Sequence, residues 1–423
     1  MNPLRETTLL TPRLLLIALT LAGLGAFVLI PEWPSKLGIF NYGRWFLDSY
    51  AVLASNDAVR AGIDPSAPNP LDDLQRAHVY SDWWFALGRL GFTRQDNFLV
   101  GGAWVVAFFA AAGALLRPVT WSQAGLLALL MVSPPVMLAV MRANNDLVIF
   151  AILAVALIAL RKDSPWRLTV ALVAIVLATG LKFYPAVAVG VFLLVRPMRR
   201  LGVVLPVALL AVAATLASVW SMIGRGVMPM PPSVYTFGAP ILFRDLGLAS
   251  RWELPAAGLL LAAAAVALVA LRRTKGLASP GGDDQTRASF LLGALVLLAC
   301  FLAGISFGYR WIFALLLAPW LWQRKQSAAL PTAQRRTAIL ALGLLFTVLW
   351  SDGAFCLTVN LFFLPMPTVA LDRWEHTLRL ATQPLVWALM ALLAGWLLEA
   401  LLATWREART GPLKHNGPLA SSY

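Results

Sequence analysis

The chain has 423 residues, of which 60% are hydrophobic and only 13% charged, and its mean hydropathy is +0.75. A soluble domain carries about a quarter of its residues as charged side chains, so half that fraction excludes a water-soluble fold and predicts a polytopic membrane protein. The net charge of +14 would suit a nucleic-acid partner, but its distribution along the chain excludes one and assigns the excess to a membrane surface.

Apolar runs fall at 14–31, 98–116, 121–141, 147–160, 167–181, 184–195, 201–222, 255–271, 289–307, 311–322, 337–350 and 384–404. By the length and hydropathy rules for bilayer spans they predict an all-α bundle of about 11–12 transmembrane helices in one membrane-embedded domain, 1–423. With the amino terminus inside, 20 of the 34 Lys and Arg but only 6 of the 20 Asp and Glu fall on the inner side, so the whole positive excess lies there. The positive-inside rule selects that threading: a multi-pass protein of the cell membrane, both termini cytoplasmic, its polar loops periplasmic.

In chain order, residues 1–13 are a short polar lead with Arg5 and Arg13. The apolar run that follows is long for a signal-peptide core and lacks a clear A-x-A site, so it reads as an uncleaved first span. A long outer loop, 32–97, then carries eight acidic and six basic residues with several Trp and Tyr. Within it Phe46 to Gly62 reads as a helix broken by Gly62 and Asp64-Pro65, and 65–70 is turn-rich. Asp82 reads as lying near the N-cap of an interfacial helix carrying Trp83 and Trp84. Ser133-Pro134-Pro135 should break its span. Arg142-Ala-Asn144-Asn145-Asp146 follows at the outer face, and Gly180-Leu-Lys182-Phe-Tyr184-Pro185 joins two apolar runs. Further on come a second outer loop at 223–254, a flexible inner linker within 272–288, and a tight turn at Gly308-Tyr309-Arg310-Trp311. A third outer segment at 351–383, aromatic and with re-entrant character, precedes a cytoplasmic tail, 405–423, expected to be disordered.

No P-loop, G-x-S-x-G, H-E-x-x-H or paired-Cys motif is present, which leaves nucleotide-driven transport, serine hydrolysis and zinc chemistry without support. Two Cys, Cys300 and Cys356, and three His provide neither a disulfide framework nor an imidazole metal site, so no cofactor and no metal is expected. Acids and bases instead gather at one membrane face. A glycosyl transfer needs a carboxylate to take the acceptor's proton and cations to stabilise a departing phosphate. A second carboxylate is dispensable when the leaving group is already a phosphate. Asp48 suits the first role, and Lys182, Arg310, Arg142 and Arg244 are the candidates for the second. Plainer readings stand beside these: Asp48 as a solvated helix-start carboxylate, Asp82 as a cap, Lys182 and Arg310 snorkelling to headgroups, and Trp83–Trp84 as an interface anchor. Ionisable groups are also what a lipid or solute transporter without catalytic chemistry would carry, and that is the alternative class.

Three stretches carry a resemblance. They are Asp48-Ser-Tyr50 through Arg60-Ala-Gly62-Ile-Asp64-Pro65, then Arg142-Ala-Asn144-Asn145-Asp146-Leu, then Gly180-Leu-Lys182-Phe-Tyr184-Pro185, with Gly308-Tyr309-Arg310 as a weaker echo. In order and topology the chain resembles the GT-C glycosyltransferases, and within them the polyprenyl-phosphate-mannose-dependent α-mannosyltransferase-like proteins of glycosyltransferase family 87. The resemblance implies a polyprenyl-phosphate-linked sugar donor, a lipid or glycan acceptor, an outer-face site and Asp48 as general base, usually without a metal. It makes Tyr309, Asn145, Tyr184, Tyr50, Arg60, His78, Asp82 and Trp83 further substrate-binding candidates. In place of that family's Tyr-Pro-Pro at the end of the first loop, this chain has Tyr80-Ser81-Asp82-Trp83, beside the expected acceptor groove.

Overall fold

The computed structural model of the chain describes residues 3–39, 43–162, 164–195, 201–218, 220, 235–274, 284–362 and 368–410. The chain is an all-α, polytopic membrane protein. Among the described residues six helices are long and apolar enough to cross a bilayer: Thr11–Leu29, Arg94–Leu115, Glu253–Arg272, Gln285–Leu302, Thr332–Leu361 and Trp374–Arg406. The pair Trp121–Met131 and Pro134–Arg142, bent by 52°, is long and apolar enough only when taken together, as a broken span or a re-entrant loop. Pro134 and Pro135 cause the bend, since neither ring nitrogen can donate to the preceding turn. Four more of the predicted spans are apolar helices of only 10–17 residues, at 146–159, 165–181, 184–195 and 205–218.

The elements that position the site are α1 (Pro3–Leu29), α2 (Leu47–Arg60), α3 (Asn97–Leu115), α4 (Trp121–Met131), α5 (Pro134–Arg142), α6 (Asp146–Ala159) and α7 (Pro165–Leu181). The starts of these helices are written in the sequence. Thr120 accepts from the Gln123 N–H at 3.2 Å and Ser164 from the Arg167 N–H at 3.4 Å, and Pro165 opens α7 where a missing N–H costs nothing. Helix α6 packs between α3 and α7, and a column of rings runs up through the bundle. Phe108 meets Phe150 at 5.0 Å between centroids, Phe150 meets Phe313 at 6.2 Å, and Phe313 meets Tyr184 at 5.8 Å. Tyr184 thus forms the polar tip of an apolar core.

Four expectations change. Ser81, not Asp82, caps the turn at Asp82–Phe85, accepting from the Trp83 N–H at 3.2 Å. Residues 351–362 and 368–383 extend two long helices, Thr332–Phe362 and Thr368–Thr410, instead of forming an outer segment. Arg379 finds a partner in another part of the chain, Asp245 at 3.2 Å, and a second one turn back on its own helix, Glu375 at 3.6 Å. Residues 405–410, expected in the disordered tail, are helical, and 411–423 lie outside the described residues. Gly308–Leu316 is a 3-10 helix, led in by a two-residue antiparallel ladder in which β1 (Thr236–Phe237) pairs with β2 (Ser306–Phe307). A Cβ at Gly238, whose φ is +145°, would overlap the Gly304 carbonyl, so glycine is required for the ladder to close.

The first loop is folded down onto the bundle. Asn56 on α2 donates to the Trp84 carbonyl at 3.2 Å and accepts from the Gly88 N–H at 2.7 Å. The Trp84 indole N–H donates to the Leu181 carbonyl at the end of α7 at 3.1 Å, and the Trp83 ring lies against Gly180. A methyl group at Gly180 would overlap that ring. Gly180→Ala should therefore destabilise the protein by about 1–3 kcal/mol through overpacking, read as a lower midpoint of thermal unfolding in detergent. An unchanged midpoint would mean that the loop is not held there.

Candidate active site

Four separate stretches of chain meet where α2 rests on the ends of α5, α6 and α7. The Phe46 N–H donates to the Met141 carbonyl at 2.8 Å, and Phe46 itself sits at φ +61°, against Gly101, so that α2 begins directly above the end of α5. Asp48, in the first turn of α2, consequently faces down and is buried. Helix α5 is stopped by Ala143 in the left-handed conformation at φ +41°, and the turn that follows lifts Asn144 beneath the carboxylate.

Asp48 is held by a bidentate Arg142, with Nε 3.0 Å from Oδ2 and Nη2 2.7 Å from Oδ1, and by the Asn144 amide, 2.6 Å from Oδ2. Asn144 faces both ways: its Oδ1 accepts the Asp146 N–H at 2.9 Å and so caps α6. Asp146 is fully buried. Its Oδ1 accepts from Lys182 Nζ and from the Tyr184 hydroxyl, the latter at 2.6 Å. Lys182 ends α7 in extended backbone, and its ammonium lies 6.0, 5.9 and 5.8 Å from the ring centres of Tyr80, Tyr184 and Tyr309, within cation–π range of all three. Arg310, buried, stacks 4.8 Å over Tyr184. Phe307 carries Arg142 over its face at 5.2 Å and stacks on Tyr309 at 5.4 Å.

The cluster contains three cations, Arg142, Lys182 and Arg310, against two carboxylates, Asp48 and Asp146. Arg310 makes no ion pair among the described residues. Burying an uncompensated charge is expensive, so the arrangement is poised to take an anion.

Lone-pair accounting also fixes how Asp48 can act. Arg142 and Asn144 occupy both acceptor positions of Oδ2, whereas Oδ1 receives one hydrogen bond. Arg76, which grips Asp72 at 2.6 Å and the Leu47 carbonyl at 3.1 Å, brings Nη1 only to 4.0 Å from Oδ1. The free acceptor position of Asp48 is therefore on Oδ1, toward Arg76. Asp48 lies outside the spanning helices. Burial pushes its carboxyl up, but Arg142, Asn144 and, further off, Arg76 outweigh burial and hold it below the usual carboxylate value.

Of the residues singled out from the sequence, Asp48, Arg142, Lys182, Tyr184, Tyr309 and Arg310 come together, with Asn145 on the same turn. The solvated reading of Asp48 and the snorkelling reading of Lys182 and Arg310 are not what the structure adopts, since all three are buried. Others lie apart from this cluster. Arg244 pairs with Glu253 at 3.1 Å in an exposed position. Arg60 holds the Phe92 carbonyl at 3.0 Å and fastens the loop. Tyr50 donates to Asp73 at 3.0 Å beneath Arg44, and His78 stacks on Phe85 at 4.5 Å. Asp82 opens the 3-10 turn, and the Trp83 ring packs on Gly180. Sequence reasoning missed Asp146, Asn144, Tyr80 and Arg76. For Asp146 a signal existed, namely a carboxylate at the mouth of a wholly apolar helix, where an ionisable group is functional by default.

Among the described residues no group of three or more His, Cys, Asp or Glu side chains is placed to hold a metal ion. The chain matches no family model, and neither the curated proteins nor the solved structures include one similar enough to carry an assignment.

Proposed function

We propose that the protein is a GT-C-like membrane glycosyltransferase that moves a hexose, mannose in the first instance, from a polyprenyl phosphate to a hydroxyl of a lipid or glycan acceptor. The observation that carries this reading is the meeting of Asp48 with Arg142, Lys182 and Arg310 in one buried cluster with a surplus cation. The acceptor hydroxyl gives its proton to Asp48 Oδ1 as its oxygen bonds to the anomeric carbon, with inversion. The bond from that carbon to the phosphate oxygen breaks, and Lys182 and Arg310 neutralise the charge left on the phosphate. Counting the bent pair and the four short helices at 146–159, 165–181, 184–195 and 205–218 as spans beside the six long ones gives 11 crossings, and the segment 308–326 counted as one more gives 12. The positive-inside threading then puts the cluster at the outer, periplasmic face of the cell membrane, with both termini cytoplasmic.

The test is to purify the full chain from membranes and identify its bound lipid by mass spectrometry. A polyprenyl-phosphate sugar should accompany the wild type and be lost from Lys182→Gln and Arg310→Gln. If the wild type carries only bulk phospholipid and binds no farnesyl phosphomannose when that is added, the transferase reading fails.

A further inference from the structure

The transfer mechanism leaves four buried polar atoms unused. Asn145 is fully buried, and neither its Nδ2 nor its Oδ1 has a hydrogen-bond partner. Asp146 uses Oδ1 for Lys182 and Tyr184, while its Oδ2 is buried with no partner. Arg310 Nε, whose guanidinium lies over the Tyr184 ring, is likewise unpartnered. Each such atom costs the unliganded protein on the order of 1–3 kcal/mol, and buried groups left in this state call for an explanation.

Their chemistry is selective. Arg310 Nε and Asn145 Nδ2 are donors, and a phosphate, which at neutral pH mainly accepts, could satisfy them. Asn145 Oδ1 and Asp146 Oδ2 are acceptors, and a bare phosphate would leave the first unpaired and repel the second. A ligand that is anionic at one end and carries hydroxyl groups beside it answers all four.

We infer that Asn145 and Asp146 Oδ2 form a hydroxyl-reading subsite that takes the sugar of a phosphosugar lipid whose phosphate lies on Lys182 and Arg310. The inference rests on the transferase reading and goes further, because it assigns discrimination between a glycosylated and a bare lipid phosphate to one turn of chain. Asn145 is in this account a specificity residue, whose amide offers one donor and one acceptor to neighbouring hydroxyls. A site built to hydrogen-bond a hydroxyl rejects the ligand that lacks it far more strongly than an apolar pocket can.

The experiment measures binding of farnesyl phosphate and of farnesyl phosphomannose to the full chain in nanodiscs, for wild type, Asn145→Leu and, should the larger side chain prevent folding, Asn145→Ser. The wild type should prefer the glycosylated lipid by about ten- to a hundredfold, from one or two net hydrogen bonds. Asn145→Leu should abolish most of that preference and leave affinity for farnesyl phosphate within about twofold. Because it also removes an unsatisfied amide from the interior, it should unfold at the same temperature as the unliganded wild type or higher. A preference that survives in Asn145→Leu overturns the subsite, as does a wild type that binds the two lipids equally. A lowered unfolding temperature with unchanged preference assigns the amide to an internal water and overturns it too. Binding of neither lipid by the wild type would instead sink the transferase reading beneath it.

Discussion

Asp48→Asn should lower transfer by about 10²–10⁴-fold, the usual contribution of a positioned general base, and should also make the protein markedly less stable. The second effect follows from the geometry. Arg142 spends two of its donors on Asp48, and Asn144 spends a third. An amide at position 48 presents two hydrogens of its own to that donor-rich surround and leaves a buried guanidinium without a counter-ion. Breaking a buried pair from one side costs about 3–5 kcal/mol. A loss of activity in this variant alone is therefore ambiguous, and the informative protein is the double substitution Asp48→Asn with Arg142→Gln. It should recover most of the unfolding temperature and none of the transfer. Recovery of transfer to within tenfold of wild type would remove Asp48 from the chemistry and leave it a structural partner of Arg142.

The same pair sets a pH dependence. Because the folded carboxyl titrates below its ordinary value, its stabilising contribution is fully present above the unfolded value and is lost as pH falls through the folded one. Across the neutral range the unfolding temperature should owe nothing to Asp48 titration, and the acid limb of kcat should lie below the ordinary carboxylate range. Arg142→Met leaves burial as the leading influence on Asp48, so that limb should move upward by about 1–3 pH units.

How much of this was legible in the sequence depends on whether the determinant is local. Apolar runs and caps are local, and helices form where those signals stand, including the break that Pro134 and Pro135 impose. The face on which Asp48, Lys182 and Arg310 would lie follows from counting crossings, so their meeting could be anticipated without any distance. Asn144 could not be read in this way. Its role is to join Asp48, 96 residues away, to the first N–H of α6, and no spacing rule relates the two. Arg76 looks like any loop arginine until Asp72 and the Leu47 carbonyl aim it at Asp48. The error at 351–383 has a different cause. Asp352, Glu375 and Arg379 lower the hydropathy of what is helix, and a window average cannot see that the Tyr235 N–H meets Asp352 and that Asp245 meets Arg379, both from another part of the chain. Charge and side of the membrane single out Arg244, and those two properties do not specify depth.

Asp146→Asn provides the second large effect, and it separates an anion site from an ordinary buried ion pair. Removing the carboxylate leaves Lys182 buried beside Arg310 with no counter-ion, so the unliganded variant should lose about 3–5 kcal/mol. Lys182→Met should lose a similar amount for the opposite reason, and the double substitution should lie within about 1 kcal/mol of wild type, a coupling that only a direct pair produces. An ordinary ion pair predicts this much and nothing further. If the cluster holds a lipid phosphate, Asp146→Asn raises the surplus from one cation to two, and the missing charge can then be supplied from outside. Farnesyl phosphate should therefore raise the unfolding temperature of Asp146→Asn by more than it raises that of wild type, since whatever binds only the folded state stabilises it in proportion to its affinity. It should raise that of the double variant by no more than that of wild type, because Arg142 and Arg310 against Asp48 restore a surplus of one and Lys182 is gone. Uncharged farnesol, with the same chain and no phosphate, should rescue neither. Equal shifts with the two lipids would mean that the prenyl chain alone is recognised, and Lys182 would then be an internal strut rather than the seat of the phosphate.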